Sequence, residues 1–320
     1  MSIHCLPIPT PFAVGRVNCY LIEDDPLTLV DAGPNSGTSL TTLEAALAEH
    51  GRKVTDLERI VLTHQHIDHI GLAQILADRS GAEVCALDAL APWLAAYGDN
   101  MEDDDRFAEA IMARHGIPED ISLALRAVSM SFRAWGARAT VTRELAPGSE
   151  LGFAGRTWQV HHRPGHSPSD TVFFDAASHE LIGGDHLIAK ISSNPLISRP
   201  LDGSTGERPQ ALRIYLDSLA ATREMEVVKV WAGHGDPVTD HVALIDERRR
   251  LHVRRAEKLH RLIAEQPRSA YELAQAMWGN VAVTQAYLTL SEILGHTDLL
   301  MNDGRVREVE AEGVVHFETA

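Results

Sequence analysis

Short apolar runs separated by turn-forming residues recur along the first 90 residues of the chain. Two of these runs, Arg16–Glu23 and Leu27–Ala32, flank the turn residues Asp24-Asp25-Pro26 and predict paired strands. Apolar residues at helical spacing within Ser39–His50 predict a helix. The same criteria predict, in chain order, a strand at Arg59–Thr63, a helix at Leu72–Asp78 and a strand at Ala82–Leu87. Strands and helices alternate, so we predict an α/β fold built in layers.

The pattern becomes helical between about residues 88 and 144, and we interpret this segment as an insertion between two strand-rich halves. Its helical part, Arg106–Arg138, carries the large apolar side chains Met112, Met130, Phe132 and Trp135. Core packing is the plain explanation of these side chains, and a lid over an apolar substrate pocket is the alternative. Strand patterns then resume at Thr157–His162, Thr171–Asp175, Glu180–Gly183 and Val227–Ala232.

The last 74 residues have a different pattern, which predicts a separate small domain. An arginine-rich helix at Glu247–Ile263 precedes a capping box at Ser269–Glu272 that opens a helix reaching Trp278. A third helix near Thr284–His296 and a hairpin within Gly304–Phe317 complete a winged-helix-like unit. We therefore predict a large catalytic domain at residues 1–246, which includes the insertion, and a winged-helix-like domain at residues 247–320.

Composition and charge narrow the class of protein. The chain has 320 residues, 44% of them hydrophobic, and its 29 basic and 45 acidic residues give a net charge of -16. This negative charge repels polyanions and therefore disfavours nucleic acid as the main partner. The three cysteines do not suggest a disulfide framework, and no apolar run is long enough to span a membrane. The first 15 residues lack the pattern of a signal peptide, so we expect a cytoplasmic protein without membrane association.

The stretch VLTHQHIDHIG at residues 61–71 places three histidines and an aspartate within six positions, directly after a predicted strand. His64 and His66, two residues apart at a strand end, project to the same side and can bind one ion together. Asp68 and His69 follow on the next bend and could reach a second ion. Imidazole with carboxylate suits zinc, iron or manganese, whereas calcium and magnesium prefer oxygen ligands.

Further ligand-type residues follow other apolar runs, each beside glycines that permit a sharp turn: Asp31 in VDAG, His166 in PGHS, Asp185 in GGD and His234 in GHGDP. Taken in order with HQHIDH, these motifs resemble those of the metallo-β-lactamase superfamily over about Val17–Pro237. The resemblance implies a four-layered αββα fold and two divalent metal ions, with zinc favoured over iron or manganese. The C-terminal pattern resembles the winged-helix domain of the β-lactamase-like protein 2 group.

Carried over by position, the resemblance implies that His64, His66 and His166 bind one ion. Asp68, His69 and His234 would bind the second, and Asp185 would bridge the two. Asp31 would orient a metal-binding side chain and would bind no ion itself. A hydroxide shared by the ions would attack the substrate, and Asp68 would act as the catalytic residue by orienting that nucleophile or moving a proton.

Gln65 and Asp185 indicate which members of the superfamily this chain resembles. Gln65 stands where the oxygen-reducing diiron relatives carry a glutamate ligand. A bridging Asp185 resembles glyoxalase II, lactonases and RNA-processing members, and true β-lactamases lack it. We expect hydrolysis of a small-molecule ester, thioester or lactone, and the alternative is a metal-dependent endoribonuclease of the β-lactamase-like protein 2 type. Nucleic acid is the less favoured partner, because residues 247–320 contain 10 basic and 11 acidic residues and so have almost no net charge. The sequence leaves homo-oligomerisation open.

Overall fold

The computed structural model describes residues 2–153, 156–204 and 206–320. The α-helices are α1 Gly37–Glu49, α2 Ile67–Ile70, α3 Ala73–Ser80, α4 Ala91–Ala95, α5 Tyr97–Arg114, α6 Glu119–Phe132, α7 Ala211–Arg223, α8 His241–Glu265, α9 Ala270–Trp278, α10 Val281–Thr284 and α11 Ala286–Asn302. Short 3-10 helices lie at Val54–Asp56, Asp88–Leu90 and Arg133–Trp135. The strands are β1 Ser2–Ile8, β2 Val17–Glu23, β3 Thr28–Val30, β4 Arg59–Val61, β5 Glu83–Leu87, β6 Arg143–Leu145, β7 Glu150–Phe153, β8 Arg156–His162, β9 Thr171–Asp175, β10 Glu180–Gly184, β11 Lys229–Ala232, β12 Arg268–Ser269, β13 Val306–Ala311 and β14 Val314–Thr319.

The chain divides into two compact units, each assembled from three separate segments. Unit 1 consists of Met1–Met101, Phe132–Ser193 and Glu224–His241. Unit 2 consists of Glu102–Ser131, Asn194–Arg223 and Val242–Ala320. This grouping by compactness is discontinuous in sequence, whereas the predicted domains at 1–246 and 247–320 are contiguous. The assignment of those two domains therefore stays a prediction.

Unit 1 contains a sheet with the strand order β1-β2-β3-β4-β5-β6 among the described residues. Strands β1 to β3 pair antiparallel, and β3 to β6 pair parallel. The carboxyl ends of β3 and β4 therefore meet at one edge of the sheet, where ligand sites of open α/β sheets form. Asp31 directly follows β3, and the histidine-rich stretch begins at His64, shortly after β4 ends at Val61.

The second sheet of unit 1 has the order β11-β10-β9-β8-β7. Both sheets contribute to one buried apolar cluster, in which Tyr20 and Val61 of the first sheet pack with Trp158 and Phe173 of the second. A backbone hydrogen bond from Thr171 N to Thr63 O, 2.9 Å long, also joins the segments that follow β4 and open β9. The loops after the strands of the two sheets therefore meet above this core.

Unit 2 contains α8, α9 and α11 together with a sheet of order β12-β14-β13. Ser269 and Glu272 form the predicted capping box, with each side chain bonded to the other's backbone N–H. Glu312 and Gly313, at positive φ angles of 53° and 80°, make the predicted hairpin turn between β13 and β14. The helices and hairpin thus form as predicted, and the classification as a winged-helix domain stays a prediction.

The predicted elements differ from the observed ones mainly in their boundaries. The helical stretch Arg106–Arg138 is broken at Gly116, which has a φ of 85°, and Pro118, so α5 and α6 are separate. The helix predicted near Thr284–His296 begins at Ala286 and continues to Asn302. Strands β1, β6 and β7 and helix α7 were not predicted. No helix of the described residues is long and apolar enough to cross a membrane.

Candidate metal centre

Seven residues predicted as metal ligands lie in unit 1, on loops that follow strands of both sheets. His64 and His66 occupy the turn after β4, and Asp68 and His69 lie on the four-residue helix α2. His166 lies in the loop between β8 and β9, while Asp185 directly follows β10 and His234 follows β11. The structure brings these residues into two adjoining clusters.

The first cluster consists of His64, His66, His166 and Asp185, whose ligand atoms all lie within 4.8 Å of one another. His166 Nε2 is 2.9 Å from His66 Nδ1 and 3.5 Å from Asp185 Oδ2. Two nitrogens bound to one tetrahedral zinc ion are about 3.3 Å apart, given Zn–N bonds of about 2.0–2.1 Å. The first cluster therefore has the spacing of a single metal site.

The second cluster consists of Asp68, His69 and His234, again with ligand atoms within 4.8 Å of one another. His234 Nε2 is 3.4 Å from Asp68 Oδ2 and also 3.4 Å from Asp185 Oδ2. The other oxygen of Asp185, Oδ1, is 3.5 Å from His69 Nε2. The Asp185 carboxylate therefore lies between the two clusters and contacts both.

Unsatisfied polar atoms show that the clusters fit metal ions. His64 Nε2, His69 Nε2 and Asp185 Oδ1 are buried and have no hydrogen-bond partner within the described part of the chain. Buried polar atoms in proteins are nearly always paired, so three orphaned atoms at one place call for a ligand. Imidazole nitrogens mixed with carboxylate oxygens form the donor set of zinc and related divalent metals. These residues are able to hold metal.

Thr63 determines which nitrogen of His64 faces the cluster. Its hydroxyl donates to Asp31 Oδ2 at 2.9 Å, so it has only a lone pair left for His64 Nδ1, 3.0 Å away. His64 Nδ1 therefore carries the proton, and Nε2 keeps a lone pair directed at the cluster. Sequence reasoning missed Thr63, because a threonine at a strand end is more often structural.

Asp31 and Arg16 orient two ligands of the second cluster in the same way. His69 Nδ1 donates to Asp31 Oδ2 at 2.7 Å, and His234 Nδ1 donates to the Arg16 carbonyl at 2.8 Å. Both rings therefore turn Nε2 toward the carboxylates of the site. Asp31 also accepts from the Thr63 N–H at 2.9 Å and holds a φ of 58°, so its position is fixed from several sides.

Burial and neighbouring carboxylates shift the pKa values of these groups in opposite directions. Burial lowers the pKa of His66 to about 3 and that of His64 well below its usual value, so both rings are neutral. Burial also acts to lower the pKa of His234, but hydrogen bonds with Asp185 and Asp68 outweigh it and raise that pKa to about 9. A metal ligand must be unprotonated, so a cation at the second cluster displaces a proton.

Burial acts to raise the pKa of Asp185, and the neighbouring His69 and His234 outweigh it and lower that pKa well below its usual value. The same balance, with His69 again the main opposing group, lowers the pKa of Asp68. Both carboxylates are therefore ionised. They supply the negative charge that a pair of divalent cations requires.

Asn18 holds the loop that carries His234, and sequence reasoning missed it. Its side-chain amide donates to the carbonyls of Ala232 and Gly235 at 3.0 and 2.9 Å. Its backbone N–H donates to the Gly233 carbonyl at 2.7 Å. An asparagine inside the apolar run RVNCYLIE was the available signal, since a buried amide needs partners.

The loop that carries His166 is held by a second polar network that the sequence did not reveal. Ser167 donates through both its N–H and its hydroxyl to Asp170, at 2.8 Å each. The Ser169 hydroxyl donates to the Gln65 side chain and accepts from the Gln65 N–H at 3.0 Å. Gln65 therefore ties the loop of His166 to the stretch that contains His64.

Three other histidines near the motifs lie outside the two clusters of described residues. His162 Nε2 contacts the Pro168 carbonyl at 2.9 Å, which ties β8 to the His166 loop. Burial lowers the pKa of His161, and it lowers that of His186 to about 3. None of the three therefore contributes a ligand atom to either cluster.

The end of the predicted insertion contacts the segment that carries the ligands. The Trp135 carbonyl accepts a hydrogen bond from Asn35 N at 2.6 Å. A side chain added at Gly136 would lie 2.7 Å from the side chain of Ile67, the first residue of α2. The 3-10 helix at Arg133–Trp135 therefore packs beside the helix that holds Asp68 and His69.

Comparison with known proteins shows which family and which relatives have a similar sequence. Residues 13–234 match the family described as the metallo-beta-lactamase superfamily. A probable metallo-hydrolase, YqjP of Bacillus subtilis (strain 168), is 33% identical over 319 residues, which are 99% of this chain and 98% of YqjP.

Solved structures agree in fold along the whole chain. The metallo-beta-lactamase family protein TTHA1429 from Thermus thermophilus is 25% identical with a TM-score of 0.81, over 99% of this chain and 98% of that one. A beta-lactamase domain protein from Burkholderia ambifaria is 26% identical with a TM-score of 0.82, over 100% and 93%. The predicted fold class is therefore confirmed.

Proposed function

Since this chain belongs to the metallo-β-lactamase superfamily and is a metal-dependent hydrolase, we propose that it holds two zinc ions and cleaves an ester, thioester or lactone of a small molecule. His64, His66 and His166 bind one ion in this proposal. Asp68, His69 and His234 bind the other. Asp185, whose carboxylate contacts both clusters, would be shared by the two ions.

The position of the Asp185 carboxylate carries the proposal of two ions. Its Oδ2 lies 3.5 Å from His166 Nε2 in one cluster and 3.4 Å from His234 Nε2 in the other. One carboxylate that contacts both clusters supports paired ions, which lie about 3.5–4 Å apart in two-metal hydrolases. A single ion would leave one of the two ligand sets without a partner.

The residues of the site have different roles in the proposed hydrolysis. Bound metal ions supply a water activated near neutral pH and positive charge for the oxygen on which negative charge develops. Asp68, whose Oδ2 is 3.4 Å from His234 Nε2, would orient the attacking water, accept a proton from it and pass that proton to the leaving group. Asp31 and Thr63 keep His69 and His64 in the tautomers that ligation needs.

Charge and the surroundings of the site support a small acyl substrate. The net charge of -16 opposes the approach of a polyanion. The 3-10 helix Arg133–Trp135 packs beside α2, and Trp135 is one of the apolar residues that we associated with a substrate pocket. Loops placed beside a fixed catalytic centre commonly determine which substrate is accepted.

One observation favours the alternative, an endoribonuclease. Arg249, Arg250 and Arg254 are exposed on α8, and the nearby Lys258 and Arg261 are exposed as well. Cations repeated along a helix could contact consecutive phosphates. The acyl substrate remains our proposal, because the chain as a whole is strongly acidic.

A chain-length series of acyl esters and thioesters, with lactones and RNA oligomers in parallel, tests this ranking. We expect zinc-loaded protein to hydrolyse acyl substrates and to leave RNA intact at both low and moderate salt. The His66→Ala variant serves as the control for contaminating hydrolases. Metal-dependent RNA cleavage without acyl hydrolysis would replace our proposal with the endoribonuclease.

A further inference from the structure

We propose that unit 2 contains a metal-binding site of its own, formed by His252, Glu292 and His296, which takes a divalent transition-metal cation of the zinc class. Ligand atoms of these three residues lie within 4.8 Å of one another. None of the three belongs to the clusters of unit 1, so the site is additional to the hydrolytic centre.

The three side chains come from two helices. Glu292 and His296 lie one turn apart on α11, and His252 lies on α8. Residues four apart project from the same face of a helix, so the carboxylate and the imidazole can reach one ion together. A ligand from a second helix then makes a set of two imidazoles and one carboxylate, as in zinc sites that keep a fourth position for water.

The distances suit a shared ion. His252 Nδ1 and His296 Nε2 are 3.2 Å apart. Nitrogens bound to one tetrahedral zinc ion lie about 3.3 Å apart when the Zn–N bonds are about 2.0–2.1 Å. His296 Nδ1 donates to the Glu292 carbonyl at 2.6 Å, so the lone pair of His296 Nε2 faces His252. A metal-binding histidine commonly donates its other ring N–H in this way, and that hydrogen bond fixes its tautomer.

Burying three polar side chains together costs free energy unless a ligand satisfies them. His252 and His296 are each 1% exposed and Glu292 is 9% exposed. Burial lowers the pKa of His252 to about 3 and also lowers that of His296, so both imidazoles are neutral. His252 Nε2, the ring nitrogen on the other side from the proposed ligand atom Nδ1, is buried without a hydrogen-bond partner among the described residues, so the hydrogen bonding of this ring is incomplete.

Arg255 gives Glu292 a fixed orientation. Its guanidinium donates to Glu292 Oε2 at 3.0 Å, which holds the carboxylate beside the histidine pair. Carboxylate ligands in metal sites are commonly hydrogen-bonded in this manner. The competing explanation is a histidine pair that shares one proton in the core, with Glu292 serving only Arg255. The two explanations differ in whether the full-length protein binds a cation there.

Zinc stoichiometry of the full-length protein separates the two explanations. A His66→Ala/Asp185→Asn/His234→Gln variant, which removes ligands from both clusters of the unit 1 centre, is dialysed against zinc and its metal content is measured by elemental analysis. We expect about one tightly bound zinc ion per chain, and loss of that ion when His296→Gln is added. His260→Gln, a substitution of another histidine on α8, is the matched control and should keep the ion.

Thermal unfolding with and without zinc gives a second readout. The unit 1 variant should gain melting temperature with zinc, since a cation that binds only the folded state stabilises it. The added His296→Gln should remove that gain. If the variant lacking the unit 1 ligands binds no zinc, or binds it equally well after His296→Gln, the proposal is wrong.

Because His296→Gln could misfold, a zinc-edge anomalous map of zinc-soaked crystals of the unaltered protein is an independent test. We expect a peak bonded to both His252 and His296. A map with zinc in unit 1 and none between these two rings would overturn the inference.

Discussion

His69 Nδ1 donates a hydrogen bond of 2.7 Å to Asp31 Oδ2, and both side chains are almost completely buried. The same carboxylate oxygen accepts from the Thr63 hydroxyl, which in turn contacts His64 Nδ1. Asp31 therefore controls the orientation of one histidine in each of the two clusters. A residue that touches no reacting atom thereby organises the centre.

Replacing Asp31 by alanine should weaken zinc binding by about 10–100-fold, the usual cost of removing a partner that orients a metal ligand. His69 would lose its fixed tautomer, and the buried Thr63 N–H would lose its acceptor. Competitive titration against a zinc chelator measures the change. Asp236→Ala removes an exposed carboxylate that pairs with Lys190 and is the matched control. Equal zinc affinity in both variants would refute the role of Asp31.

Replacing His66 by alanine should remove metal from the first cluster and abolish hydrolysis, because His66 Nδ1 lies 2.9 Å from His166 Nε2 within that cluster. His162→Ala should leave the metal content near that of the unaltered protein, since the His162 ring contacts the Pro168 carbonyl and lies outside both clusters. Elemental analysis and turnover are measured on both variants. Full metal content in His66→Ala would mean that the ligands are assigned incorrectly.

Gly233→Ala should damage the centre without changing any ligand. A methyl group at this position would collide with Asp185 Oδ1 and lie 2.9 Å from His69 Cε1. Forcing extra atoms into such packing costs about 1–3 kcal/mol of unfolding free energy. Gly37→Ala, where an added methyl group meets no atom within 4 Å, is the control. We expect lower metal content and lower stability only in Gly233→Ala, and normal values in both would contradict the geometry.

Acidification should destabilise unit 2 through His115. Burial, together with Arg208 and Arg114, lowers the pKa of His115 to about 3, whereas an unfolded histidine titrates near pH ~6.5. Below about pH 6.5 the unfolded state therefore binds a proton that the folded state refuses. This histidine then reduces the unfolding free energy by about 1.4 kcal/mol per pH unit until the pH nears about 3.

Urea unfolding at pH 7, 6 and 5, with a chelator present throughout, measures this dependence. The slope of stability against pH below about 6.5 should become shallower in His115→Gln than in the unaltered protein. Parallel slopes in the two proteins would exclude His115 as a source of the acid sensitivity.

The regular elements and the residues that cluster at the candidate metal centre were predictable because their signals are local. Strand β9 matches its prediction residue by residue, and the helix opened by Ser269 ends at Trp278 as expected. Both depend on patterns within a few residues, namely a short apolar run and a capping box. The order of the metal motifs was equally readable, since each ligand motif sits beside a strand end.

The supporting contacts were not predictable because they join residues far apart in sequence. Asn18 reaches the carbonyl of Gly235, 217 positions away, and Ser169 reaches Gln65, 104 positions away. The pairing of His252 with His296 likewise spans 44 positions. A single sequence does not reveal which distant residues pair, because the folded backbone determines the partners.

Hydrolysis of acyl substrates before and after removal of metal tests the central claim most directly. The purified protein is assayed on a panel of esters, thioesters and lactones as loaded with zinc, after chelation, and after zinc is restored. We predict turnover that disappears on chelation, returns with zinc and is absent from His66→Ala in all three states. Acyl hydrolysis that persists in the chelated protein and in His66→Ala would contradict the account.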